Sequence, residues 1–149
     1  MREIKFRGLS KKTKEMVYGN LLIHPAYALK DGVHSPQPLR TFIEQQEVSW
    51  DNSDKCWRHI RIEVPPETVG QYTGLKDKNG AEIYEGDRLQ TIADDGTRLS
   101  SFEVYWREGA ASFAKKRDDG EDFWLDQVAC QHLEVIGNVH QHPELLEQK

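Results

Sequence analysis

Cysteine is scarce: Cys56 and Cys130 are the only two in 149 residues, and they form no Cys-x-x-Cys pair. That excludes a disulfide framework and a cysteine zinc site, and points to two ordinary reduced thiols. Long apolar runs are also missing. Leu21 to Ile23 and Ala26 to Leu29 are far shorter than a bilayer-spanning segment, and Met1-Arg2-Glu3 opens no signal-peptide core. The expectation is a cytoplasmic protein with no membrane partner. Neither Gly-x-Gly-x-x-Gly nor a Gly-Lys-Ser/Thr phosphate loop occurs, so Gly70, Gly74 and Gly80 read as turn and strand-end positions. No Gly-x-Ser-x-Gly elbow is present and neither cysteine has a catalytic signature, so no catalytic residue is assigned.

What the chain has is charge: 30% of its residues are charged and 37% hydrophobic, with a net charge of −5. Fourteen aromatic residues spread along the chain argue against disorder and for a small core under a charged surface. The charge is unevenly placed. Residues 1–15 carry six Lys/Arg against two Glu, whereas residues 118–149 carry eight Asp/Glu against one Lys. A basic start can meet phosphate, but the acidic balance of the whole chain opposes the long-range attraction that drives nucleic-acid binding.

Short strands dominate the pattern. Ile4 to Leu9 alternates apolar and basic residues, Met16-Val17-Tyr18 and Leu21-Leu22-Ile23 continue a meander, and Ile60, Ile62 and Val64 alternate with Arg61 and Glu63 up to Pro65-Pro66. Between them, His24 to about Pro38 reads as an irregular excursion because of Pro25, Gly32, Pro36 and Pro38. Leu39 to Glu47 fits either a short helix or a strand. Val69 to Asp87 is the most informative stretch: a strand closed by Gly74, a polar loop ending in Asn79-Gly80, and a second strand running into Gly86-Asp87. Asn79-Gly80 predicts a tight primed turn. Phe102, Val104 and Trp106, then Phe123-Trp124-Leu125 and Leu133 to Val139, add strands punctuated by Asp/Gly turns. Val135-Ile136 is expected to close the carboxy-terminal lobe, with a helical turn over Pro143 to Leu146.

The fold expected is mainly β (α+β): one domain over 1–149, with a meander-like lobe over 1–65 and a barrel-like lobe of short antiparallel strands over 66–149. Barrel closure is favoured because it removes exposed edges.

The polar and aromatic clusters differ in what their chemistry allows. Asp77, Asn79, Glu82, Glu85 and Asp87 lack the spacing of a calcium loop and read as turn-capping carboxylates. His140 and His142 share a side of a strand, but with no third ligand located they read as exposed loop histidines, so neither a metal nor a cofactor is assigned. Trp50 and Trp57, with Arg58 and Arg61 nearby, are the binding candidates, since stacking rings beside guanidinium groups suit single-stranded nucleic acid or a protein surface. Trp106 and Trp124, near Arg107 and Lys115-Lys116-Arg117, are expected to fill the core instead.

Three blocks then carry a family resemblance. They are Arg2-Glu3-Ile4-Lys5-Phe6-Arg7 with Met16-Val17-Tyr18-Gly19; Thr68 to Asp77 through Ile83-Tyr84-Glu85-Gly86-Asp87; and Glu134-Val135-Ile136-Gly137-Asn138 with Pro143-Glu144-Leu145-Leu146. In order and spacing the chain resembles the YopX family of phage and prophage proteins. It departs from that pattern at Gly8-Leu9-Ser10, across His24 to Ile60, and at His140-Gln141-His142. The resemblance implies a phage-derived origin, a β-rich body with an SH3-like carboxy-terminal lobe, and a homo-oligomer; it implies no established activity. The leading expectation is a non-enzymatic accessory protein in a bacterial host that self-associates and binds a host or phage protein. Nucleic-acid binding by a small barrel is the alternative, and a metal-dependent enzyme the third reading.

Overall fold

The computed structural model describes the backbone of residues 3–30, 33–51 and 54–142, and their side chains except over 25–38 and 48–56. The turn expected at Pro143 to Leu146 lies outside the described residues. The architecture is mainly β with antiparallel pairing, and the chain divides into two compact units, Lys5–Val69 and Met1–Ile4 with Gly70–Lys149.

In the first unit, strands β1 (Phe6–Leu9), β2 (Met16–Lys30), β3 (Val33–Asp51) and β4 (Asp54–Val64) form a meander in the spatial order β4-β3-β2-β1. The excursion expected over His24 to Pro38 is therefore corrected: it is a long β-hairpin. The prolines are tolerated because a register shift between His24 and Ala26 accommodates Pro25, and Pro36 and Pro38 lie where, among the described residues, β3 pairs with β2 alone. Leu39 to Glu47 is likewise strand, extended by pairing on both sides over Thr41 to Glu44. Period-two alternation puts Thr41, Ile43, Ile62 and Val64 on one face, where Ile43 and Val64 are fully buried. On the other face lie Arg40, Phe42, Glu44, Arg61 and Glu63. At Gly19 a Cβ would come within 2.3 Å of the Glu44 carbonyl oxygen, so only glycine permits this approach of β2 to β3.

The second unit holds the hairpin of β5 (Gly70–Lys76) and β6 (Glu82–Tyr84), then β7 (Asp87–Ile92), β8 (Arg98–Arg107), β9 (Ser112–Arg117), β10 (Asp122–Trp124), the short helix α1 (Gln127–Cys130) and β11 (Leu133–Asn138). The last five strands pair as β10-β9-β8-β7-β11, an open sheet rather than a closed barrel. Ile83, Leu89, Phe102, Val104, Phe113, Leu125, Cys130 and Leu133 make its core. Burying such side chains contributes about 1.5–3 kcal/mol each. Trp106 and Trp124 do not join them: they are 39% and 60% exposed, which corrects the expectation of core rings. On β11 the buried anchor is Leu133, while Ile136 falls in a register shift between Val135 and Gly137 and is half-buried.

The central turn also differs in detail from a two-residue primed turn. Gly80 N donates to the Asp77 carbonyl and Asp77 N to the Ala81 carbonyl, and Gly80 (φ +86°) is the position with positive φ, with Asn79 not among such residues. The buried Asp77 carboxylate organises the loop. Its Oδ1 accepts from Asn79 N (2.8 Å) and Ala81 N (2.9 Å), and its Oδ2 from Val135 N (3.0 Å).

Candidate functional site

The β1–β2 turn folds back along the outer side of β4. Ser10, itself buried, holds it in shape: its Oγ accepts from Lys12 N (3.3 Å) and Thr13 N (3.1 Å), while Lys14 N donates to the Ser10 carbonyl (3.0 Å). Lys11 N donates to the Glu63 carbonyl (3.0 Å), tying the turn to the end of β4. Between turn and strand runs a cleft of about 640 Å³. Val17, Ile60 and Ile62 supply half-buried apolar surface; Lys11, Lys12, Arg40 and Arg61 supply four cations, and Glu15 and Glu63 two carboxylates.

Charges in the cleft are interleaved rather than segregated. Glu63 accepts from Lys11 Nζ (2.7 Å) through Oε1 and from Arg40 through Oε2, and the Arg40 hydrogen bond is the main reason its carboxyl pKa falls to about 2. Arg40 also lies over the Phe42 ring, 5.0 Å from its centroid. Glu44 accepts from Arg61 Nε (3.0 Å), which lowers its pKa, and His59 Nδ1 stands 3.5 Å from its other oxygen. The pairs are exposed, so they set direction and specificity more than stability.

Of the sequence candidates, Arg61 is in the cleft. Trp57, 61% exposed, lies on the same strand and projects to the same face as Arg61, whereas Arg58 projects to the opposite face with Glu47 as its cross-strand neighbour. The Trp50 side chain lies outside the described residues; its backbone pairs with Lys55. No sequence motif points to Lys11, Lys12, Arg40 or the apolar floor as a site. The basic start of the chain was the available signal for the lysines, while Arg40 is recruited by a strand register that no local pattern announces.

The turn candidates have separate, structural surroundings. Gly70 opens β5, Gly74 and Gly86 have φ of +88° and +80°, and Asp87 Oδ2 accepts from Tyr84 N at 2.7 Å. Among the described residues no group of three or more His, Cys, Asp or Glu is placed to hold a metal ion. His142 Nδ1 accepts from Asn138 N (3.4 Å) and Asn138 Oδ1 caps His140 N and Gln141 N, so that segment is a turn held by its own side chains.

Two of the three cations in the second unit's basic run, Lys115 and Arg117, are already committed, while Lys116 is exposed. Lys115 is buried with its Nζ 4.6 Å from the Phe102 ring centroid, and desolvation lowers its pKa. Arg117 is held by Asp119 (2.5 Å) and Glu121 (2.7 Å). Arg107 donates to Tyr105 Oη (3.2 Å), faces Asp122 at 3.3 Å and covers the Trp124 ring. Lys115, Arg117 and Arg107 are engaged with their own sheet.

Comparison with known proteins adds two findings. A family model described as "YopX protein" matches residues 5–147. The crystal structure of protein EF1440 from Enterococcus faecalis is similar at a TM-score of 0.53 and 26% identity, over 98% of this chain and 99% of that one. No curated protein matches. Among the described residues no helix is long and apolar enough to cross a membrane.

Proposed function

This chain belongs to the YopX family, and from that footing we propose that it is a non-enzymatic accessory protein of phage or prophage origin, acting in the bacterial cytoplasm by binding a protein partner and by self-association. The observation that supports this reading is the cleft of Lys11, Lys12, Arg40 and Arg61 around an apolar floor of Val17, Ile60 and Ile62. An anionic segment with apolar side chains suits it. A nucleic-acid backbone suits it less, because it brings a negative charge on every nucleotide to an acidic chain and no aliphatic side chains to cover Val17, Ile60 and Ile62.

The test compares polyglutamate with oligo(dT) against wild type, Lys12→Glu and Arg61→Glu over a salt series. Polyglutamate binding that falls in both variants is the expected result. Oligo(dT) binding that is tighter, is lost in the same variants and declines steeply with salt would replace this reading with the nucleic-acid one.

A further inference from the structure

Resting on the reading of the cleft as the partner site, we infer that it takes its partner by β-strand addition: an extended protein segment of alternating acidic and apolar residues pairs with the outer edge of β4. β4 is terminal in the strand order, and among the described residues it pairs with β3 alone. An edge strand of this length is a template for a further strand unless something covers it. Here the cover is partial, since Lys11 N reaches Glu63 and caps one end of the edge.

That one hydrogen bond also sets the register. The Glu63 carbonyl turns away from β3, and because the pleat repeats every two residues, Arg61 and His59 turn their N–H and C=O groups the same way. A segment laid in the cleft meets those groups directly. Its side chains then alternate between two different surfaces. On one side lie Ile60 and Ile62 with Val17; on the other lie Arg61 and Glu63 with Arg40, and Lys11 bonded to that Glu63. Apolar residues therefore suit one side and carboxylates the other. Backbone pairing supplies affinity and the two surfaces supply the sequence preference. The same geometry disfavours a nucleic acid, whose backbone has no N–H and C=O ladder to exchange.

The experiment uses the full chain and three short acetylated peptides: alternating Val and Glu, alternating Val and Lys, and the Val-Glu peptide N-methylated at alternate residues along one edge. Affinity is measured by titration calorimetry, with hydrogen exchange read at the His59 and Arg61 amides. Expected are binding of the Val-Glu peptide with slowed exchange at both amides, no binding of the Val-Lys peptide, and at least about ten-fold weaker binding after N-methylation, the equivalent of one or two lost hydrogen bonds. Equal binding of the methylated peptide, with affinity still lost in Arg61→Glu, overturns strand addition and leaves the cleft reading intact. Binding indifferent to both Arg61→Glu and Lys12→Glu, in variants that melt like wild type, overturns the cleft reading itself. Protection of the two amides in the free protein that grows with its concentration assigns the edge to a second copy and overturns the acidic partner.

Discussion

Glu63 joins two cations that the chain presents far apart, Lys11 from the first turn and Arg40 from β3, and its carboxyl is the most strongly perturbed of the cleft. The consequence for pH has a definite sign. Its pKa is lowered by folding, so the unfolded chain takes up a proton at Glu63 near pH 4.5 while the folded chain resists until about 2. The stability it contributes is complete above the unfolded value and is lost as pH falls through that window. Glu63→Gln should therefore flatten the acid limb of a stability profile between about pH 4.5 and 2 and lower stability at pH 7 by that same amount, which solvent screening of these exposed pairs keeps modest. An unaltered acid limb would show that these contacts do not persist in solution. Cys130 gives a second test at this scale. Burial pushes its thiol up to about 11, so at pH 8 the unreactive thiol form dominates. Maleimide should leave Cys130 unmodified in the native protein and modify it in denaturant, as read by peptide mass analysis; rapid native labelling would contradict its burial.

At the scale of elements, one buried carboxylate holds strands in place. The Asp77 carboxylate satisfies three backbone N–H groups, tying the β5–β6 loop to β11. Asp77→Ala leaves those donors without their carboxylate and is expected to cost about 2–4 kcal/mol, with Asp77→Asn intermediate because one amide oxygen remains. Gly80→Ala provides the contrast. Nothing lies within 4 Å of a Cβ there, so its cost is the positive φ alone, about 1–2 kcal/mol. If urea titration ranks Gly80→Ala as the more damaging of the two, the loop is held by its backbone shape and not by the buried carboxylate. The open sheet also has a reason at this scale. β10 and β11 are short, three and six residues, and short edges avoid misassembly without closure.

For the whole molecule, charge is divided as the fold is. Residues 5–69 carry ten Lys/Arg against eight Asp/Glu, and the remainder ten against seventeen. Copies can therefore attract one another through unlike surfaces, which is the physical basis for the proposed self-association. Light scattering at low salt should give a mass above 17.3 kDa that declines as salt screens the charges. A strict monomer would remove self-association. An oligomer unmoved by salt would keep it and shift its cause to exposed apolar side chains such as Ile23 and Leu39.

Local chemistry made much of this protein legible in the sequence. Alternation at Ile60, Ile62 and Val64, Asp/Gly turns, and the three blocks of family residues determined a β-rich chain of YopX type, because period and turn preference are properties of neighbouring residues. The tertiary structure decided what depends on register. Only strand pairing makes Pro25, Pro36 and Pro38 part of a hairpin, puts Trp106 and Trp124 at the surface while Lys115 goes inside, and gathers Lys11, Arg40 and Arg61 around one cleft. Lys11 and Arg61 are fifty residues apart along the chain. Their meeting is set by which strand lies beside which, and a shift of one residue would send Arg61 to the other face.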